Sequence, residues 1–351
     1  MKLNTVTDRY MPLFKILIIV LLAGMMPTVM AATDFRQALQ TISPSYVTLY
    51  LKRGNKAALR PNGSTRPDEL MERLLDGRRS AATETKGSGF IIDTAGHIVT
   101  TSSNIDAQQT LWVETYDGIR HPGELVATSR SLDIAIIKIQ SKQYPAVTFA
   151  PSAQLGEPVA ILSTHRQLAN ILTTGVVSSL PRVSALSRPF PLLQSDAIVD
   201  LGSAGAPMFN QQGEVLGMIN AALIENRGFA GQSFAVPAAT LKRFVPMLSA
   251  KQSLQRAVLG VSGVDHFIEL NSGQLRPTAM ITEVTRDSPA AAANLASGDY
   301  VIKFAEESIT SWAQLQGTIA NALPNKTYSM LVQRGGKSLT ISVTLSAEQI
   351  D

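Results

Sequence analysis

Short runs of β-branched, aromatic and aliphatic residues, each cut off by Gly, Pro, Asp or Ser, set the pattern of this chain from Tyr46 onward. Residues 46–51, 87–93, 96–101, 110–114, 124–127, 134–139, 159–162 and 174–178 read as strands at the spacing of an all-β barrel or sandwich. The run at 214–219 is strand-like as well. Three longer stretches are patterned as helix. Residues 35–42 form the first, stopped by Ser43 and Pro44; residues 238–245 read as a helix closing the β region; residues 310–322 form the third. Residues 53–86 break the strand pattern with Gly54, Pro61, Gly63, Pro67, Gly77 and a dense run of charges. They read as a long surface loop with one or two helical turns at 68–75. The expected class is mainly β.

The first thirty residues follow a different rule. Lys2, Arg9 and Lys15 precede an uncharged apolar run at 16–26, and Val29-Met30-Ala31 supplies small residues for cleavage. This is the form of a signal peptide, residues 1–31, and it implies export. The run is shorter than the roughly 20 residues of a bilayer span, so cleavage after Ala31 or Ala32 is preferred to a retained inner-membrane anchor. Cysteine is absent, which removes disulfides, thiolate catalysis and Cys-ligated zinc. The net charge of +4 is scattered, with basic pairs only at Lys52-Arg53, Arg78-Arg79 and Lys242-Arg243, so no nucleic-acid footprint is present.

Several motifs then occur in a fixed order. They are GSGFIID from Gly87, the stretch ending in Thr100-Thr101-Ser102-Ser103-Asn104, Leu132-Asp133-Ile134-Ala135, Thr174-Gly175-Val176-Val177, the segment 195–220 with Gly202-Ser203-Ala204-Gly205-Ala206, and Ser233-Phe234-Ala235-Val236-Pro237. In kind and order they resemble the HtrA/DegP-type periplasmic serine proteases, over about residues 44–345. The resemblance implies a trypsin-like double β-barrel at 35–248, a polar connector at 249–256 and one PDZ domain at 257–346. It also implies a serine, histidine and aspartate acting together.

Carried over residue by residue, two of those three are replaced. The family's histidine falls on Ser103, or on Asn104 if the alignment slips by one; its aspartate matches Asp133; its serine matches Ala204. A serine hydroxyl attacks a carbonyl only when an imidazole removes its proton, and neither a methyl nor a second hydroxyl supplies that pair. Loss of the nucleophile alone costs on the order of 10⁶-fold in turnover, and further losses add little because the groups act as a unit. Ser203 is one residue early on a sharp turn, and none of His97, His121, His165 and His266 matches the base position. Asp133 then reads as a partly buried carboxylate hydrogen-bonded to Ser103 or to backbone. The oxyanion-hole positions of the family fall on the backbone of Gly202 and Ala204, which needs no serine side chain to form. Matching specificity loops are 193–201 and 219–232, with Ala221, Ala222 and Gln232 at the primary pocket, and 163–174 is a candidate sensor segment. No metal site and no cofactor is expected.

Beyond the connector, the segments 257–261, 280–284, Ser288-Pro289-Ala290-Ala291, Gly298-Asp299 and 337–345 are similar to PDZ domains of the same proteases. The resemblance implies β-augmentation. A partner's C-terminal strand pairs beside Val261-Ser262-Gly263 while amides of Leu259 and Gly260 receive its carboxylate, with 310–322 as the flanking helix. The function expected is a catalytically inactive, periplasmic HtrA-like pseudoprotease that binds peptides or unfolded protein C-termini. It would act as a homo-trimer, with contacts from 35–50, or in a hetero-oligomer with an active relative. The alternative is a serine endopeptidase of the same family in protein quality control.

Overall fold

A computed structural model describes residues 34–53, 84–105, 109–140, 143–165, 168–183, 190–220, 232–269 and 273–350. The signal-peptide segment, most of the 53–86 loop, and Ala221 and Ala222 lie outside the described residues.

Helix α1 (Arg36–Ile42) has only seven residues and would be marginal alone, so burial must hold it. Ala38 and Ile42, one turn apart, are buried, and Phe35 meets Phe209 edge-on at 6.1 Å between ring centroids. Ser43 Oγ returns a hydrogen bond to the Leu39 carbonyl at 2.6 Å, and Pro44 ends the helix in a 3-10 turn. Phe35, Ala38, Ile42 and Tyr46, placed among expected trimer contacts, are therefore part of this chain's own core.

Strands β1 (Tyr46–Arg53), β2 (Glu84–Ile91), β3 (His97–Thr100), β4 (Gln109–Thr115), β5 (Arg120–Pro122), β6 (Glu124–Ser129) and β7 (Ile134–Lys138) make a seven-stranded sheet ordered β5-β4-β1-β2-β3-β7-β6. Val47, Leu49, Ile91, Ile98, Val113 and Ile137 fill its inner core. Tyr46, Phe90, Val99, Ile134 and Ile136 pack on the other face, into a second core shared with α1. Strands buried on both faces need continuous apolar runs, which is why β7 reads IAIIK without alternation.

The next six strands close on themselves. They are β8 (Pro158–His165), β9 (Leu168–Arg182), β10 (Leu192–Ser195), β11 (Pro207–Phe209), β12 (Val215–Ile219) and β13 (Ser233–Pro237). The barrel order is β10-β13-β12-β11-β8-β9. The expected sensor loop at 163–174 is instead a β hairpin: β8 and β9 pair from Pro158↔Val176 to His165↔Leu168, and only two residues lie between them. Helix α2 (Ala238–Ser249) buries Leu241, Phe244, Val245 and Leu248 in the shared core.

The connector is shorter than its polarity suggested. Leu254–Val258 is strand β14, and it pairs with a strand at Ser346–Ile350 at the far end of the chain, from Leu254↔Ile350 to Val258↔Ser346. Leu254 and Ile350 are buried, which outweighs the polar sequence around them. Between those ends lie β15 (Val261–Glu269), β16 (Leu275–Val284), α3 (Pro289–Ala292), β17 (Tyr300–Phe304), β18 (Glu307–Ser308), α4 (Trp312–Asn321), β19 (Thr327–Arg334) and β20 (Lys337–Thr344); Ser346–Ile350 is β21. The sheet order is β15-β16-β17-β19-β20, which leaves β15 at an edge. Asp299 is fully buried, and the Arg334 guanidinium holds it through two bonds of 2.6 and 2.7 Å.

Candidate active-site corner and peptide groove

The expected triad positions meet where the first sheet touches the barrel. Asp133 ends the turn before β7 with φ of 51°, a left-handed conformation that Asp tolerates better than most residues. This aims its carboxylate at the 3-10 turn Ser102–Asn104. Asp133 Oδ1 accepts the Ser103 amide at 2.9 Å and the Ser102 hydroxyl at 3.1 Å, and the residue is 8% exposed. On the other side, Asn104 Nδ2 donates to the Ala204 carbonyl at 3.5 Å. The 102–104 turn thus touches both Asp133 and the Ala204 turn.

The Ala204 turn is fixed by backbone. Ser88 N–H donates to the Ala204 carbonyl at 3.2 Å, Gly205 N–H to Ile219 at 2.9 Å, and Ala206 N–H to Ser203 at 2.9 Å. Gly205 has φ of +83°, and a Cβ there would lie 2.2 Å from the Ser88 carbonyl oxygen, so only glycine fits. Gly202 sits in the 3-10 turn Leu201–Ser203, closed by Ser203 N–H to the Asp200 carbonyl at 3.0 Å.

A buried polar network that sequence reading missed supports this turn. Ser88 Oγ donates to the Gly202 carbonyl at 2.9 Å and receives the Thr164 amide at 3.0 Å. The Tyr46 hydroxyl reaches Thr164 Oγ1 at 2.9 Å and Ser88 Oγ at 3.2 Å. Burial pushes the Tyr46 phenol above its ordinary value, with its hydroxyl neighbours pulling against that, so it stays neutral. The only signal in the sequence was Ser88 between two glycines, and nothing there pointed to Tyr46 or Thr164.

Ser203 is 2% exposed, and its hydroxyl is engaged with Ser163 Oγ at 3.1 Å and Asp200 Oδ1 at 3.2 Å. His97 Nδ1 pairs with Asp93 Oδ2 at 2.6 Å on the β2–β3 turn. His121 Nε2 bonds the Tyr144 hydroxyl at 3.1 Å, and the His266 ring lies tilted against that of Tyr300 with 5.2 Å between centroids. The side chain of His165 lies outside the described residues. Among the described residues, no cluster of three or more His, Asp or Glu is placed to hold a metal ion.

At the PDZ end, Leu259 is 2% exposed, Gly260 has φ of +80°, and a Cβ on Gly260 would lie 2.3 Å from that of Ser288. The carbonyls of Leu259 and Gly260 are taken by the Ala290 and Thr285 amides, both at 2.9 Å. This holds the loop rigid, while among the described residues the Leu259 and Gly260 amides donate to no group. They border a pocket of about 350 Å³ whose walls include Val261, Ile319 and, from the segment after β9, Val183.

The PDZ domain family matches residues 257–345, and the trypsin-like peptidase domain family matches residues 87–218. A probable periplasmic DegP-like serine endoprotease of Marinomonas sp. (strain MWYL1) is 30% identical over 356 residues, covering 94% of this chain and 75% of that one. The chain belongs to the HtrA/DegP-type serine protease family. A second relative, serine protease HTRA1 of Xenopus laevis, is 30% identical over 283 residues, covering 74% of this chain and 59% of that protein. Among solved structures, the HtrA-type protease AlgW with a tripeptide superposes with a TM-score of 0.62 at 19% identity, covering 90% of this chain and 97% of that one. The serine endoprotease of Yersinia pestis gives 0.52 at 22% identity, covering 92% and 100%. These two likenesses are of fold: a trypsin-like domain followed by one PDZ domain.

Proposed function

We propose that this chain is a catalytically inactive member of the HtrA family, working in the periplasm as a binder of polypeptide C-termini or unfolded segments. It acts alone, as a homo-oligomer, or in assembly with an active relative. The observation that carries this reading is the occupancy of Asp133. Its carboxylate receives the Ser103 amide and the Ser102 hydroxyl, and the next residue, Asn104, touches Ala204. The aspartate, base and nucleophile positions are neighbours, yet they hold a carboxylate, a hydroxyl and a methyl. Neither Ser103 nor Asn104 has a group that titrates near neutrality to act as a base.

The binding half rests on the PDZ match and on the loop whose residues Leu259 and Gly260 border a pocket. Backbone amides at such a loop receive a carboxylate whatever their side chains are. The second reading, a serine endopeptidase, draws on the names of the relatives, a probable serine endoprotease and a serine protease. Export to the periplasm follows the same names and the form of residues 1–31.

Fluorophosphonate labelling and casein cleavage by the purified chain separate the two. The expected result is no label and no cleavage for the native sequence, and labelling after Ser103→His with Ala204→Ser. Native labelling that disappears on Ser203→Ala would overturn the inactive reading. Absence of labelling in the double variant would mean that the corner no longer positions a nucleophile.

A further inference from the structure

We infer that Trp312 sets the length and the specificity of the PDZ groove, restricting it to ligands with glycine, or at most alanine or serine, third from the C-terminus. This rests on the proposal that the groove receives a C-terminal strand, and it deepens that reading by naming the ligand class.

A strand that places its carboxylate on the Leu259 and Gly260 amides must run antiparallel to β15, between β15 and α4. Its last residue lies level with Val261 and its third-from-last level with Gly263, and side chains two apart share a face. The register shift at this point lies in β16, where Ser262↔Glu283 is followed by Gly263↔Ile281 and Thr282 is the extra residue. β15 therefore keeps its own alternation. The last side chain enters the pocket beside Val261 and Ile319.

The third-from-last side chain meets the Trp312 ring. A Cβ built on Gly263 would lie 2.5 and 2.6 Å from Cε3 and Cζ3 of that indole, so the ring rests directly on the glycine backbone. Gly263 is the residue that allows this approach. The ring is also anchored. Asp265, on the same edge strand, accepts the Trp312 amide at 2.6 Å, and Ser311 caps the helix by accepting the Gln314 amide at 3.1 Å. Strand and helix are thus pinned together two residues beyond Gly263. Of the expected pairing edge Val261-Ser262-Gly263, only the first two rungs are open to a ligand with ordinary side chains.

The test uses the purified full chain and fluorescein-labelled hexapeptides ending in a free carboxylate, alike except for Gly, Ala, Leu, Phe or Lys third from the end. Glycine should bind about tenfold or more tightly than leucine or phenylalanine, the ratio of one excluded side chain. Trp312→Ala should raise affinity for the bulky peptides and erase the ratio, with a thermal melt confirming the fold. Asp265→Ala keeps the ring but removes the pin, and should reduce the ratio by about threefold; it stands in if Trp312→Ala does not fold. Equal affinities in the native chain, or an unchanged ratio in a folded Trp312→Ala or Asp265→Ala variant, overturn the inference while leaving the groove reading intact. If no peptide binds to native or variant protein, or C-terminal amides bind as well as acids, the groove reading falls and this inference with it.

Discussion

In the corner around Asp133 the backbone is tied down at every turn, while the side chains at the triad positions are a hydroxyl, a carboxylate and a methyl. In the groove beside β15 the backbone of Leu259 and Gly260 borders a pocket, and the Trp312 ring rests on Gly263. Covalent catalysis lives in side-chain chemistry, so two substitutions abolish it even on an intact scaffold. Recognition of a carboxylate by amides lives in backbone geometry, so substitution reshapes the groove without removing its function. On the proposed reading, the same family fold loses one activity abruptly and adjusts the other by degrees.

The largest effect expected is on the corner. Asp133→Asn in the native background should leave labelling at zero, because Asp133 has no imidazole to orient. In the Ser103→His, Ala204→Ser background the same change should cost about 10⁴-fold in labelling rate, as in a working triad. Equal labelling of the double variant with and without Asp133→Asn would mean that the carboxylate does not address the restored base.

Gly205→Ala tests whether the corner is held by backbone. It places a methyl 2.2 Å from the Ser88 carbonyl oxygen and forces alanine to φ of +83°, so a loss of about 4 kcal/mol in denaturant unfolding is expected. A neutral result would show that the turn relaxes freely. Peptide binding to whatever fraction stays folded should be unchanged.

Arg243→Ala probes the groove from its far wall. From α2, its guanidinium donates to the Ala320 and Ala322 carbonyls at 3.1 and 2.7 Å and to Gln255 at 3.1 Å. Burial holds its pKa below the ordinary arginine value, but it stays charged and caps the end of α4. Its removal should cost about 2 kcal/mol and speed hydrogen exchange at the end of α4 more than at α1. Uniform exchange would argue against a clamp on the groove wall.

The smallest effect concerns acid. Burial pushes Asp93 upward, and bonds from the His97 amide, the His97 ring and the Ala95 amide outweigh it, so its folded pKa lies below the ordinary value. Its contribution is complete above the ordinary carboxylate range and is lost as pH falls through that range toward the folded pKa. For so exposed a pair this is below about 1 kcal/mol. Asp93→Asn should flatten only that acid limb of a stability-versus-pH curve, and a change near neutrality would contradict the assignment.

Strand positions were readable because a strand's burial pattern is local. β1, β3, β4 and β7 lie within a residue or two of where their β-branched and aromatic runs placed them. The connector and the sensor segment were misread because both are polar at their ends. Leu254–Arg256 are strand only because Ile350 and its neighbours return to pair with them, and 168–174 only because β8 lies alongside.

Sequence alone determined that Ala204 carries no hydroxyl and Ser103 no imidazole, that glycine stands at 205 and 263, and that the motifs run in family order. Side-chain chemistry and chain order need no coordinates. Tertiary structure decided that the 102–104 turn lies on Asp133, that Tyr46 and Thr164 brace the Ala204 turn from 118 residues apart, and that an indole from α4 covers the one strand position without a side chain. Those are contacts between segments distant in sequence. They are set by how sheets and helices close-pack, and the local pattern of a chain does not encode that packing.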